Sequence, residues 1–307
     1  MVVQFAVYLC PPIPTALVSP DPSSKDSGYW SPLCCTLIYT PTEAILVDCP
    51  PSVDATNELA TWVQSTLPPG CVLKHFVASH AHGDHFFGFP VLKTAFPSVT
   101  AAGTKSVVEG IEQQYSPQTY KEVWESTFPP SEAGTGMPEA NAEFVSLPPA
   151  NEIDLDGHLV KFYDVPHGDM HANSFLYVPD LGLVIASDIV YNGDCHQWLV
   201  EANTQEKRDG WIEALTQIET LKPRIVVPGH TFKPMSEPDE AVAMSMLNGT
   251  KQYIKAFEEE LEKAESEEEL FNAMRGRFSR WNLWILSAGC RAGIASKQRS
   301  TSSAGRG

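Results

Sequence analysis

In His80-Ala81-His82-Gly83-Asp84-His85, four metal-binding side chains occur within six residues. The motif follows the apolar run 72–78, which predicts a buried strand that ends at the histidines. Because residues two apart on an extended chain point to the same side, His80 and His82 can hold one ion together. Asp84 and His85 follow where the chain turns, and they can face a second ion. The motif therefore predicts a metal site at the end of a strand.

Three further candidate ligands occur beside predicted strands. His171 precedes a short apolar segment, and Asp188 and His230 each follow an apolar run. Loops at strand ends often carry reactive groups on a rigid scaffold. Together with the first motif these residues make five histidines and two aspartates, a donor set that suits two divalent ions, zinc above all.

The order of these motifs over about residues 35–232 resembles that of the metallo-β-lactamase superfamily. The resemblance implies an α/β fold, an αββα sandwich in which two sheets pack face to face with helices outside. It also implies two metal sites that share a bridging residue: His80, His82 and His171 for the first ion, Asp84, His85 and His230 for the second, and Asp188 between them. His167 is the alternative to His171, which we favour because it directly precedes a strand, as the family pattern requires.

In having a bridging aspartate, the chain resembles the glyoxalase II and lactonase branches, whereas true β-lactamases of this superfamily lack that residue. The segment 187–193, followed by His196, resembles a branch of microbial hydrolases, some of whose fungal members act on small cyclic amides or secondary-metabolite intermediates. The resemblance implies a hydrolase with two Zn²⁺ ions that acts on a lactam, lactone, ester or thioester, in detoxification or secondary metabolism. Asp84 would also serve in catalysis by orienting the attacking water and passing a proton to the leaving group. Tyr191 and His196 are candidate substrate contacts.

Two other functions fit the same motifs. Iron-dependent persulfide dioxygenases share the pattern but use one iron, and a non-catalytic binding protein could use the same fold. The intact set of seven candidate ligands favours an enzyme, because a binding protein has no need to keep them.

Charge and composition narrow the partners. A net charge of −17 disfavours nucleic acid, whose binding rests on clustered Lys and Arg. No apolar run approaches the roughly 20 residues that cross a bilayer, and the apolar N-terminus lacks the basic residues of a secretory signal. Seven cysteines without a Cys-x-x-Cys pair favour a reducing compartment. We therefore expect a cytoplasmic protein with a small-molecule substrate and neither a nucleic-acid nor a membrane partner.

The pattern predicts three regions along the chain. A catalytic domain is expected over 1–236, a helical extension packed on it over 237–296, and a disordered Ser- and Gly-rich tail over 297–307. The stretch 281–290 is too apolar to be left in water, so we expect it to pack on the core or in a homodimer. Residues 104–127 are predicted to be helical and to form part of a wall over the pocket.

Overall fold

The computed structural model describes residues 2–131, 134–139, 141–234 and 238–304, and the backbone alone for 301–304. Within these residues the strands form two sheets, each with its strands side by side in chain order. The first consists of β1 (Gln4–Cys10), β2 (Leu33–Tyr39), β3 (Glu43–Val47), β4 (Val72–Val77), β5 (Thr100–Gly103) and β6 (Val145–Ser146). The second consists of β7 (Glu152–Leu155), β8 (His158–Asp164), β9 (Ser174–Val178), β10 (Leu183–Ser187) and β11 (Ile225–Pro228).

Helices cover both outer faces of the sheets. Those beside the first sheet are α1 (Val53–Thr66), α2 (Phe89–Ala95), α3 (Lys105–Gln114) and the short α4 (Pro117–Thr119), which continues as a π-helical turn, Tyr120–Glu125. Those beside the second sheet are α5 (Gln205–Thr220), α6 (Glu240–Lys263), α7 (Glu267–Arg277) and α8 (Leu283–Ala304). Two 3₁₀ turns, Gly83–His85 and Pro179–Leu181, complete the elements described.

The alternation of side chains along the strands creates the layers. In β3, Ile45 and Val47 pack between the sheets, whereas Ala44 and Leu46 face the helices. On the second sheet, Ile185 of β10 packs between the sheets and Val184 packs with the helices. The predicted αββα sandwich is therefore confirmed, since one apolar layer separates the two sheets and another lies under each set of helices.

One predicted helical stretch is divided. Residues 104–127 form α3, then a break, then α4 with its π-helical turn. Pro117 causes the break, because a proline disfavours helical geometry in the residue before it. Ser116 has extended ψ and its side chain accepts a hydrogen bond from the backbone N–H of Thr119, which starts the new helix. The turn that follows carries Trp124 into the core.

The C-terminal helices pack on the second sheet. Leu286 and Cys290 of the apolar stretch 281–290 are buried there with residues of α5 and α6. The expected boundary between residues 236 and 237 lies outside the described residues. α8 extends to Ala304, so the tail predicted to be disordered from residue 297 is helical that far, and residues 305–307 lie outside the described part. Lys297 joins α8 to the C-terminal end of α6, because its Nζ donates to the carbonyl oxygens of Leu261, Glu262 and Ala264 at 2.8 Å each. Within the described residues, no helix has the length and apolarity of a membrane span.

Candidate metal centre

The candidate ligands meet where strands from both sheets end. β3 and β4 are parallel, as are β10 and β11, so each pair ends at one edge of its sheet. A backbone hydrogen bond of 2.8 Å from Cys34 N to the Gly229 carbonyl joins the two sheets at that edge. The loops after β4, β10 and β11 therefore converge, and they carry the 80–85 motif, Asp188 and His230.

The first group of possible ligands consists of His80, His82 and Asp169, with ligand atoms all within 4.8 Å of one another. Asp169 Oδ2 lies 2.7 Å from His82 Nδ1 and 3.7 Å from His80 Nε2. The carboxylate is held in place by its other oxygen, which accepts from Met170 N at 2.8 Å and from Asn173 Nδ2 at 2.6 Å. This group is thus two histidines and one carboxylate.

Asp169 occupies the position in which we expected His171. His171 is exposed and belongs to none of the ligand groups found among the described residues. The loop 165–173 explains the difference, because it is pinned to the 80–85 loop by Ala81 N to the Ala172 carbonyl, which leaves Asp169 buried on the inside. The alternative, His167, is buried, but its Nδ1 donates to the carbonyl oxygen of Gly168 at 2.7 Å.

The second group consists of Asp84, His85 and His230, and Asp188 lies against it. Asp188 Oδ1 is 3.4 Å from His85 Nε2, and its Oδ2 is 3.2 Å from His230 Nε2. His80, His85 and Asp188 also meet the 4.8 Å criterion, so Asp188 reaches toward the first group as well. Residue 229 has to be glycine here, since a Cβ would lie 1.8 Å from Asp188 Oδ1. We call the seven residues of both groups the floor: His80, His82, Asp84, His85, Asp169, Asp188 and His230.

Each floor histidine has its outward nitrogen fixed by a partner. The Nδ1 atoms of His80, His85 and His230 lie 3.0 Å from Ser79 Oγ, 3.0 Å from Asp48 Oδ2 and 2.8 Å from the Pro32 carbonyl oxygen. His82 is turned the other way, with Nε2 at 2.6 Å from Glu201 Oε2. Such partners set the tautomer and direction of a ligand histidine, so the opposite nitrogens are directed to the centre of the floor.

Asp48 connects several of these supports. It accepts from Ser79 N and Ser79 Oγ at 2.8 Å each and from Ser187 Oγ at 3.0 Å, besides facing His85. Asp48 and Ser187 both have positive φ, 63° and 45°, a conformation that costs a non-glycine residue of order 1–3 kcal/mol. The hydrogen bonds that orient the floor therefore also hold these two residues, each at the end of a strand, in a strained backbone conformation.

The buried charges of the floor control one another. Burial opposes ionisation of Asp188, but His230 and His85 hold its pKa well below the usual range. Burial also disfavours a charged His230, yet Asp188 and then Asp84 raise the pKa of His230 to about 10. For His80, burial and the neighbouring His85 together hold the pKa well below the usual range. Metal ions bind neutral histidine, so binding of a cation by the floor would be coupled to the release of protons.

The floor has the properties of a metal site. His80 Nε2, His85 Nε2 and Asp188 Oδ1 are buried without a hydrogen-bond partner within the described residues. Such atoms are costly unless something binds them. Nitrogen and carboxylate donors at these spacings fit divalent ions such as zinc. The residues therefore fit the metal that the sequence motif predicts.

A cavity of about 310 Å³ opens above the floor. Four tryptophans from separate segments line one side of it, which we call the aromatic wall: Trp30, Trp124, Trp198 and Trp284. Tyr191 also lines the cavity, but its hydroxyl donates to Asp188 Oδ2 at 2.9 Å, so it supports the floor. His196 lies away from the cavity and is buried with Nδ1 at 2.8 Å from the Tyr253 hydroxyl, which corrects its assignment as a substrate contact.

The sequence predicted six of the seven floor residues as metal ligands, but it did not identify the seventh or the residues that hold the floor in place. Asp48 had a signal, because it follows the apolar run 44–47, just as Asp188 follows an apolar run. Asp169 lies in the same loop as two histidines, and the prediction favoured a histidine of that loop over its carboxylate. Glu201 and Trp30 had no local signal, since only the folded chain brings them to His82 and to Asp84.

Comparisons with known proteins identify the family of the chain and agree with its fold. The family model described as "Metallo-beta-lactamase superfamily" matches residues 30–230, roughly two thirds of the chain. A metallo-beta-lactamase family protein from Thermus thermophilus is similar in structure, with a TM-score of 0.63 and 17% identity over 96% of this chain and 94% of that one. A beta-lactamase domain protein from Burkholderia ambifaria has a TM-score of 0.61 and 15% identity, over 95% and 84%.

A metallo-beta-lactamase from Pontibacter korlensis has a TM-score of 0.53 and 16% identity, over 83% of this chain and 99% of that one. At these identities the likenesses show the fold alone. A search by sequence among curated proteins found no match.

Proposed function

Because the chain belongs to the metallo-beta-lactamase superfamily, we propose that it is a metal-dependent hydrolase with two zinc ions that acts on a small-molecule carbonyl compound, a lactam, lactone, ester or thioester. One observation carries the proposal: ligand atoms of His80, His85 and Asp188 converge from both sheets within 4.8 Å of one another, and His80 Nε2, His85 Nε2 and Asp188 Oδ1 are buried with no hydrogen-bond partner among the described residues. A role in detoxification or secondary metabolism, as in the hydrolase branches with a bridging aspartate, is part of the same proposal.

The floor divides into two sets of ligands. His80, His82 and Asp169 would hold one ion and Asp84, His85 and His230 the other, with Asp188 shared. A bound divalent ion lowers the pKa of a water ligand toward neutrality and polarises a carbonyl oxygen, so no serine or cysteine nucleophile is needed.

The protein's own residues position the reacting groups. Trp30 Nε1 donates to Asp84 Oδ2 at 2.7 Å, which holds this carboxylate at the boundary between floor and cavity. There Asp84 can accept a proton from the attacking water and return it to the leaving group. Tyr191 holds Asp188 from the cavity side, and the aromatic wall excludes water from the substrate.

The test uses the full chain loaded with zinc and a panel of lactams, lactones, aryl esters and thioesters, glutathione thioesters included. We expect hydrolysis of at least one class, its loss on chelation and its recovery on addition of zinc. Protein that binds stoichiometric zinc and hydrolyses no member of the panel would contradict the proposal. Metal content is measured on the same samples, so loss of metal and loss of activity can be compared directly.

The composition of the first ligand set favours a second candidate, an iron-dependent oxygenase similar to the persulfide dioxygenases. Two histidines and one carboxylate, as in His80, His82 and Asp169, are the ligands typical of non-haem iron(II) oxygenases. Protein purified without added metal separates the two functions. Stoichiometric iron together with oxygen uptake in the presence of a persulfide would support the oxygenase, and zinc without oxygen uptake would support the hydrolase.

A further inference from the structure

The aromatic wall is continuous and reaches the floor. Ring centroids of Trp124 and Trp30 are 6.0 Å apart, those of Trp30 and Trp284 5.0 Å, and those of Trp284 and Trp198 5.7 Å. The last tryptophan lies 6.0 Å from the ring of His82, with the two rings nearly perpendicular. A group lying along this wall would therefore be within reach of a floor histidine.

The polar atoms of the wall are largely engaged already. Trp30 Nε1 donates to Asp84, Trp124 Nε1 to Gln114 Oε1 at 2.7 Å, and Trp198 Nε1 to Glu201 Oε2 at 3.1 Å. These bonds fix three of the four indoles, and Trp284 Nε1 is buried without a partner among the described residues, so the wall offers the cavity mostly aromatic carbon. Fixed aromatic rings bind other flat rings by offset or edge-to-face packing, at little cost in entropy.

Away from the floor histidines, the charged side chains that line the cavity are acidic. Its ionisable lining residues are His82, Asp84, Glu122, Asp188 and His230, and no Lys or Arg occurs among the described residues that line it. Glu122 is exposed at the opening, and the whole chain carries −17. An anionic substituent placed against the wall, away from the floor, would face the carboxylate of Glu122 and no Lys or Arg among the described lining residues, which is unfavourable.

Resting on the proposed hydrolase function, we propose that the aromatic wall selects substrates in which the scissile carbonyl is linked through nitrogen or oxygen to an uncharged aromatic ring, and that it rejects anionic substrates. The cavity of about 310 Å³ lies at the low end of the roughly 300–1,000 Å³ of small-molecule sites, so it suits one ring system and a short acyl part. Among carbonyl compounds, neutral aryl amides, aryl esters and benzo-fused lactams fit this description, whereas anionic thioesters such as glutathione conjugates do not.

The test compares three amides that differ in one feature each: N-phenylacetamide, its para-carboxylate and N-cyclohexylacetamide. Binding to the zinc-loaded protein is measured by calorimetry and by tryptophan fluorescence, to which the wall contributes four of the seven tryptophans of the chain. We expect N-phenylacetamide to bind at least tenfold more tightly than either of the other two and to quench the fluorescence. Equal or tighter binding of the carboxylate, or of the cyclohexyl compound, would overturn the proposal.

A pair of charge reversals tests the role of the opening. Glu122→Lys places a cation beside the wall. We expect it to lower the ratio of the two binding affinities, that of the neutral amide over that of the carboxylate, at least threefold. Glu125→Lys is the matched control, because it makes the same change three residues away on a side chain that lines a separate cavity. If the two variants change the preference equally, the discrimination comes from the overall charge of the protein and the assignment to the wall is wrong.

Failure of this inference can be told apart from failure of the proposed function. The same binding series is repeated on protein from which a chelator has removed the metal, so that the para-carboxylate compound cannot bind a metal ion. Because the wall consists of protein alone, we expect the neutral aromatic preference to remain there. Absence of any hydrolysis would contradict only the proposed function, whereas hydrolysis in which anionic compounds turn over as well as neutral ones would contradict only the wall.

Discussion

The floor and the aromatic wall face each other across one cavity, yet they are built in opposite ways. Floor residues follow strand ends or lie in short loops beside them, and directional hydrogen bonds to groups such as Asp48 and Pro32 hold them. The wall takes one tryptophan from each of four separate segments, held partly by ring contacts of 5.0–6.0 Å. Trp30 and Trp198 also hydrogen-bond to Asp84 and Glu201, whereas Trp284 Nε1 has no partner among the described residues. The difference teaches that selectivity is separable from reaction at Trp284, since changes in the floor should affect every substrate and a change at Trp284 only some.

The largest effect is expected for Asp188→Ala. Its two oxygens face His85 and His230, so the change removes a shared ligand and leaves two histidines without their counter-charge. We expect activity to fall by more than the ~10–100-fold that follows loss of a group supporting a ligand, together with loss of bound metal measured by elemental analysis. Asp180→Ala, an exposed aspartate in the turn after β9, is the control. Turnover within tenfold of the wild type would show that Asp188 holds no ion.

The next test decides which residue completes the first ligand set. Asp169→Ala should lower both the metal content and kcat, because Asp169 Oδ2 lies against His82 and near His80. His171→Ala should leave both within about twofold, as surface substitutions generally do. Thermal melts of both variants check that the fold is intact. The opposite result, with metal lost from the His171 variant alone, would restore the assignment made from the sequence.

These two tests concern one ligand that could be predicted from the sequence, Asp188, and one that could not, Asp169. The αββα sandwich was predicted from the family resemblance, and its layers rest on alternating apolar residues, which are a local feature; the prediction of one helical stretch over 104–127 did not include the break at Pro117. A ligand directly after a strand, such as Asp188, is placed by the strand itself. Asp169 lies in an irregular loop, where its direction depends on a contact between Ala81 and Ala172, 91 positions apart in the chain. No local pattern contains that information, so the choice within residues 167–171 could not be made from the sequence.

A smaller effect is expected from a residue that supports the floor. Asp48→Asn removes the charge that faces His85 and makes one of the two acceptor positions a donor. Asparagine tolerates positive φ, so the backbone conformation of residue 48 is kept. We expect metal affinity to fall about 10–100-fold in a competition titration with a chromophoric chelator.

Asp156→Asn provides the matched control for this change. Asp156 also has positive φ, 54°, and it accepts from the hydroxyls of Thr40 and Thr42 in a turn that contributes nothing to the floor. The metal affinity of the Asp156→Asn variant should equal that of the wild type. If both variants lose affinity to the same extent, the effect is a general loss of stability and Asp48 has no special part in the floor.

The smallest effect is expected in the wall, and it bears most directly on whether floor and wall are separable. Trp284→Leu removes one ring from the wall, and an aromatic pair contributes about 0.5–1.5 kcal/mol beyond its buried area, or about two- to tenfold. We expect KM for an aryl substrate to rise by this factor while metal content stays at the wild-type value and kcat within twofold. Trp62→Leu makes the same change in α1, where the indole packs on Tyr8 outside the cavity, and should alter neither constant. Should Trp284→Leu release metal, Trp284 would support the floor as Trp30 and Trp198 do, and selectivity could not be changed independently of metal binding.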